Sequence, residues 1–183
     1  RNSGSRKVYL IQEPIAALIG AGYDISEACG RMVVDIGGGT TDIAVISLNG
    51  IVKSSSLKLA GNKVDQAIIR YISNQYKILI GEKTAELAKK SITNVYDPEG
   101  ELKMIVKGRH LIKGLPEQIE ISDIDVFEAI KELVFEMVDS IKGVLEVTPP
   151  ELVGDIYNNG IVLTGGGALL GGLDKLISAS TGI

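Results

Sequence analysis

The chain has 183 residues, 45% of them hydrophobic and 23% charged, with a formal net charge of −4 and one cysteine. Length and apolar content are those of a packed globule with a sizeable core, which excludes a disordered tail, and scattered basic residues in an acidic chain exclude a nucleic-acid footprint. No run approaches the ~18 apolar residues of a membrane span and the N-terminus shows no signal-peptide pattern, while Cys29 and His110, each the only one of its kind, leave no disulfide and no zinc or Cys-protease constellation and fit a reducing cytoplasm.

In chain order, residues 6–12 read as a short buried strand, and Glu13-Pro14 opens a helix to about Ala21, because proline suits the first helical position. Residues 31–59 read as a three-strand meander: Met32 to Ile36, then Thr41 to Leu48, then a third strand after the hairpin signal Asn49-Gly50. The run Ile43-Ala44-Val45-Ile46 is apolar on both pleat faces, which predicts a strand covered on both sides. From Gly61 the pattern turns helical, with Val64, Ala67, Ile68, Tyr71 and Ile72 on one stripe and a second helix from about Thr84 to Ile92. Leu102, Met104 and Val106 alternate like an exposed strand, as do Gln118 to Ile121, so 61–121 reads as a small α+β insert. The longest helix runs from Ser122 to about Val147, with a capping pattern at Ser122 and Asp125 and the stripe Phe127, Ile130, Val134, Met137, Ile141, Leu145. Thr148-Pro149-Pro150 stops it, and the chain returns to a strand at Ile161 to Thr164, a glycine turn, and a helix using Leu169, Leu173, Leu176 and Ile177.

Two glycine turns carry the chemistry. Asp35-Ile36-Gly37-Gly38-Gly39-Thr40-Thr41-Asp42 and Thr164-Gly165-Gly166-Gly167-Ala168 each follow a short apolar strand directly. Turns without Cβ let successive backbone N–H groups approach and converge on a polyphosphate. One such turn is more often an ordinary hairpin, but the first also carries hydroxyls at Thr40 and Thr41 to cradle phosphates. Asp35, at the carboxyl end of a buried strand, is where an α/β sheet presents ligand groups, and a carboxylate there holds Mg²⁺ through water or simply caps the turn.

These motifs, with Gln12-Glu13-Pro14-Ile15-Ala16-Ala17, TAELAK at 84–89 and IVLTGGGALL at 161–170, resemble the actin/heat-shock chaperone/sugar-kinase ATPase superfamily. Gly-Leu-Pro at 114–116 leading into Ile119 to Ser122, and Thr-Pro-Pro-Glu-Leu at 148–152, resemble its bacterial actin (MreB) branch in particular. The resemblance covers essentially the whole chain and about the second half of the family's protein. The family's first phosphate loop has no counterpart in these residues, and neither do its last strand and helices.

The resemblance implies an α/β, actin-like (ribonuclease H-like) ATPase domain: a mixed sheet flanked by helices, with subdomain IIA at 1–60 and 122–183 and subdomain IIB inserted at 61–121. It implies ATP and Mg²⁺ as cofactors in the complete protein. Glu13 matches the catalytic glutamate that orients the attacking water, Thr40 the threonine beside the γ-phosphate and water, and Asp35 the Mg²⁺ aspartate. Gly37, Gly38, Gly39 and Thr41 belong to the phosphate turn. Gly61 matches a glycine near the ribose, and Gly165, Gly166, Gly167 and Ala168 the turn on the adenosine and α-phosphate side. Glu86 and Lys89 match the pair that faces ribose and adenine, against the plain alternative of a solvated helix pair contributing about 0.2–0.5 kcal/mol. Gln12 and Asp42 stand where an acidic residue and a glutamate are frequent. The function implied is a cytoskeletal, filament-forming protein that organises bacterial cell shape. Its partners would be copies of itself, the membrane and cell-shape proteins; it would be cytoplasmic and membrane-associated through parts outside this chain. The family hydrolyses ATP slowly, and this chain alone is expected to be inactive. A sugar-kinase-type phosphotransferase, a chaperone-type ATPase and a scaffold that binds nucleotide without turnover remain alternatives at this point.

Overall fold

The computed structural model describes residue 4 and residues 6–183. Helix α1 (Glu13–Gly20) leads to strands β1 (Arg31–Ile36), β2 (Thr41–Ser47) and β3 (Gly50–Leu57), which form the antiparallel meander. After α2 (Gly61–Tyr76), β4 (Ile78–Leu79), α3 (Glu82–Ile92), β5 (Lys103–His110) and β6 (Pro116–Ser122) come α4 (Asp123–Glu146) and α5 (Pro150–Asn159). Strand β7 (Ile161–Thr164), a short 3-10 turn (Gly166–Leu169) and α6 (Leu173–Thr181) complete the order. The main sheet runs β3-β2-β1-β7, with β7 parallel to β1; the second sheet, β4-β5-β6, is separate and antiparallel.

The apolar run of β2 is covered on both faces, as its sequence predicts. Ile43 and Val45 join Met32, Val34 and Ile36 in the large core beneath α2 and α4, while Ala44 and Ile46 join Val33 under Leu18 of α1. Helix α4 is the spine of that core: Val126, Ile130, Val134, Met137, Val138, Ile141 and Val144 are all buried. At about 1.5–3 kcal/mol per fully buried aliphatic side chain, this stripe outweighs the exposed ion pairs, which contribute about 0–1 kcal/mol each. Its start is fixed as the capping pattern predicts, the Ser122 N–H donating to Asp125 Oδ2 at 2.8 Å. The same core runs on through Val64, Ile68 and Ile72 of α2 to Val106 and Ile121 of the second sheet.

Several expectations are corrected. Residues 6–12 form no strand, and Val8, Tyr9, Leu10 and Ile11 are exposed, Leu10 by 99%. An apolar strand needs a neighbouring strand edge, and among the described residues none pairs with this segment. The hairpin turns at Leu48-Asn49, one residue earlier than Asn49-Gly50, since Gly50 already pairs with Ser47. Leu48 and Asn49 take φ of 50° and 62°, a left-handed pair stabilised by N–H bonds to the carbonyls of Glu27 and Ile25 at 3.1 and 2.8 Å. The segment after Pro149 is a helix, α5, with Pro150 in its first turn, where a missing N–H costs nothing. Leu169 lies outside α6 in the 3-10 turn and is 87% exposed, because the Gly171-Gly172 corner delays the helix to Leu173.

Candidate functional site

Strands β1 and β7 are parallel neighbours with Asp35 opposite Thr164, so the glycine turn that follows each emerges at the same edge of the sheet. The second turn is packed directly on the first. Gly165 adopts φ +80°, and a Cβ there would overlap the Ile36 carbonyl and sit 2.6 Å from Asp35 Oδ1; one at Gly167 would overlap the Ile36 side chain. Only glycine permits this contact.

The first turn is aimed by α2. The Gly37 and Gly38 carbonyls accept bonds from the Gly61 and Asn62 N–H groups at 3.1 and 2.8 Å, so this turn caps the helix where no side chain does. A planar peptide points its N–H opposite to its C=O, so the N–H groups of Gly38 and Gly39 are turned away from α2. Among the described residues, the N–H groups of Gly38, Gly39, Gly166 and Gly167 donate to no protein acceptor. A Cβ built on Gly39 or Gly166 meets nothing within 4 Å, so both positions face open space.

The turns border a cleft of about 970 Å³. Its floor is apolar, with Ile36, Val64, Met137, Leu170 and Leu173; Gly37, Gly38, Gly166 and Gly167 form one rim and α3 the other, with Glu86 and Lys89. Gly61 lies between them. A size near the upper end of small-molecule sites, an apolar floor and converging polar groups are what a nucleotide requires.

Glu86 and Lys89 both border the cleft but do not pair with each other. Glu86 accepts a bond from Lys90 at 2.6 Å, and that bond holds its carboxyl below the usual carboxylate range. Lys89 instead bonds Asp65 of α2 at 3.0 Å and the Gly61 carbonyl at 3.2 Å. Asp65 and Met137 border the cleft without having stood out in the sequence: Asp65 reads as an ordinary polar position of α2, and Met137 as core.

Thr41 does not offer its hydroxyl to a phosphate. It is fully buried and donates to the Leu59 carbonyl at 2.6 Å, tying β2 to the connection that enters α2. Its neighbour Thr40 is exposed at the turn, its carbonyl accepting from the Gly37 N–H at 2.9 Å. Asp35 alternates with Val34 and Ile36, so its carboxylate leaves the sheet on the α1 face, beside Asp42 on β2 and Thr164 on β7. Neither carboxylate has an ion-pair partner among the described residues, and Thr164 Oγ1 is buried without a hydrogen bond. Glu13 is exposed at the start of α1, which packs on that same face. Glu13, Asp35, Gly39, Thr40, Thr41, Gly165 and Ala168 are not among the residues lining the cleft itself. His110 is the last residue of β5, paired with Ile78 of β4, and its Nδ1 accepts the Ile112 and Lys113 N–H groups of the following turn at 3.1 and 3.2 Å, while Cys29 is half-buried, its sulfur accepting from Asn159.

A family model described as "MreB/Mbl protein" matches residues 1–183. The chain belongs to the MreB/Mbl family. It is 51% identical over 176 residues to the cell shape-determining protein Mbl of Bacillus subtilis strain 168, covering 96% of this chain and 53% of that protein. With the cell shape-determining protein MreB of Escherichia coli K12 it shares 49% over 183 residues, covering 100% and 53%. The chain thus spans about half the length of the curated relatives it matches. Among solved structures it is similar to MreB5 of Spiroplasma citri bound to ADP (TM-score 0.91, 41% identity, 96% of this chain and 54% of that one). The AMPPNP-bound form of MreB5 gives a TM-score of 0.89 at 41% identity, covering 94% and 52%. The MamK double helical filament gives 0.72 at 25% identity, covering 91% and 49%. The fold is therefore the actin-like one that the motifs imply, and membership of the MreB/Mbl family sets aside the sugar-kinase and chaperone branches. No helix of the described residues is long and apolar enough to cross a membrane.

Proposed function

We propose that this chain forms one wall of the ATP cleft of an MreB-type protein that polymerises into filaments and organises cell shape. The observation that supports this most is the convergence of two glycine turns at one sheet edge, with unpartnered N–H groups on both, across a cleft from α3. Gly38, Gly39, Gly166 and Gly167 bind the phosphates, and Glu86, Lys89 and Gly61 face the nucleoside over the apolar floor. In this reading 1–60 with 122–183 is one subdomain and 61–121 is the inserted one. The membrane and other cell-shape proteins are partners of the complete protein.

Asp35 suits Mg²⁺. Two unpaired carboxylates side by side, with a buried hydroxyl beside them, gain from a cation, and Mg²⁺ is commonly held by one or two carboxylates together with water and substrate phosphates. Among the described residues no group of three or more His, Cys, Asp or Glu side chains forms a cage of its own, which fits that mode. When bound, Mg²⁺ neutralises charge on the phosphate oxygens. Thr40, in the turn that follows Asp35, and Glu13, at the start of the helix on the same face of the sheet, are assigned to the γ-phosphate and the attacking water. Hydrolysis then changes the relative stability of filament and monomer.

The test is Gly166→Val. A Cβ at this position enters open space, with no protein atom within 4 Å, so the variant should fold with a melting temperature close to that of the wild type while titration with Mg-ATP shows affinity lost by tenfold or more. Wild-type affinity in Gly166→Val would remove the second turn from the site.

A further inference from the structure

Asp65 has no role in the site as described so far, yet it holds one of the cleft's cations. It lies one helical turn into α2, and Lys89 Nζ reaches it from α3, 2.9 Å from Oδ1 and in bonding geometry to Oδ2 at 3.0 Å. The side chains are only 16% and 15% exposed, and Oδ1 is buried with no hydrogen bond of its own. A third contact closes the arrangement, Lys89 Nζ donating to the Gly61 carbonyl at 3.2 Å. The N–H of that same Gly61 is bonded to the phosphate turn through Gly37.

An ammonium on a four-carbon stem is a mobile, strongly hydrated point charge with three donors. Here two donors are directed back onto α2, and the stem lies along the cleft with one donor left over. The other basic residues of α3 that border the cleft are held less firmly: Lys90 pairs with Glu86 in an arrangement that leaves the two side chains 66% and 48% exposed.

We propose that Asp65 is a positioning residue: it fixes Lys89 so that the cation's remaining N–H meets the nucleoside part of the ligand, and it cancels the charge that would otherwise draw phosphate to the wrong end of the cleft. This rests on the nucleotide reading above. Asp65 therefore selects for a nucleoside on the polyphosphate and adds nothing to polyphosphate binding itself. Asp65→Asn, which keeps shape and loses charge, frees Lys89 to move and leaves its charge uncancelled.

The experiment measures the affinity of the full-length protein for Mg-ATP and for magnesium tripolyphosphate by calorimetry, in wild type, Asp65→Asn, Lys89→Met and the double variant, with melting temperatures as the check on folding. A hydrogen bond to a charged group is lost when the lysine is no longer aimed, so Asp65→Asn should weaken Mg-ATP by about tenfold or more. Tripolyphosphate affinity should stay the same or rise, and Asp65→Asn should cost nothing further once Lys89 is methionine. Equal losses for both ligands would mean that Asp65 merely supports the site, and multiplying losses in the double variant would mean that it does not act through Lys89; either overturns the proposal. Absence of Mg-ATP binding by the wild type would overturn the nucleotide reading itself and this proposal with it.

Discussion

Replacing Thr41 with valine removes one hydroxyl and leaves the shape of the side chain intact. That hydroxyl donates to the Leu59 carbonyl at 2.6 Å, and both residues are buried, Thr41 at 0% and Leu59 at 2% exposure. The carbonyl left behind belongs to a residue only 2% exposed, so the cost is that of a buried unsatisfied acceptor, about 1–3 kcal/mol. For a chain of this size, about 2 kcal/mol corresponds to a melting temperature lower by about 4–8 °C. Thr41→Ser keeps the bond and should lose far less. Urea denaturation of the three proteins should show the midpoint falling for Thr41→Val with an unchanged slope, while Mg-ATP affinity, corrected to the folded fraction, stays that of the wild type. Loss of nucleotide affinity in Thr41→Val with no change in midpoint would show that the hydroxyl faces phosphate after all, and the division of labour between Thr40 and Thr41 drawn here would be wrong.

In the complete protein, Glu13→Gln or Thr40→Ala should slow phosphate release at least tenfold while leaving the Kd for Mg-ATP within about threefold, since both are assigned to water and the γ-phosphate and not to affinity; weaker binding with normal turnover per bound ATP would reverse that assignment. Gly167→Ala puts a methyl where the Ile36 side chain sits, so it should lower stability by an amount in the overpacking range, about 1–3 kcal/mol, read as an earlier unfolding midpoint, and an unchanged midpoint would mean that the two turns are not in contact. The Tyr76 phenol, which donates to Asp125 at 2.7 Å, is pushed up to about 12 by burial and by that bond. The folded state therefore holds this proton more tightly than the unfolded chain does. Its contribution is complete below the ordinary value of about 10 and is lost as pH rises to about 12; Tyr76→Phe should flatten the alkaline loss of stability in that window, measured as midpoint against pH. The 183-residue chain alone should fold but release no phosphate from ATP above background, because half of the phosphate shell is assigned to residues outside it and an open cleft leaves the γ-phosphate in water, where electrostatic contacts are weak. Sustained turnover would place the whole site within these residues.

The parts of the fold that local pattern governs were legible. The two-sided apolar run at Ile43 to Ile46, the 3.6-residue stripe of α4 and the Ser122–Asp125 cap each follow from residues within a few positions of one another. Each glycine turn was visible as a motif after its own strand, but that the two share one edge rests on the parallel pairing of β1 with β7, residues far apart in the chain. What failed to show depends on partners far away in the chain. Residues 6–12 have the composition of a strand, but a strand exists only where another edge receives it. Thr41 and Thr40 are indistinguishable in sequence, and only the position of Leu59 decides which hydroxyl is consumed. Glu86 and Lys89 have a spacing that suggests a mutual pair, yet Lys90 and Asp65 are nearer competitors, one a turn along the same helix and one on α2. The hairpin slipped by one residue because the carbonyls of Ile25 and Glu27 hold Leu48 and Asn49 in a conformation that neither residue prefers alone.

The central claim is that both glycine turns hold one polyphosphate through backbone N–H groups, and amide NMR reads those groups directly. Full-length protein labelled with ¹⁵N should be titrated with Mg-AMPPNP and followed residue by residue. The account predicts that the amides of Gly38, Gly39, Gly166 and Gly167 shift downfield together along one binding curve, with Lys89 and Gly61 following on the same curve. Shifts confined to one turn, or centred on the shallow surface around Tyr96 and Lys175 with all four glycines unmoved, would contradict it.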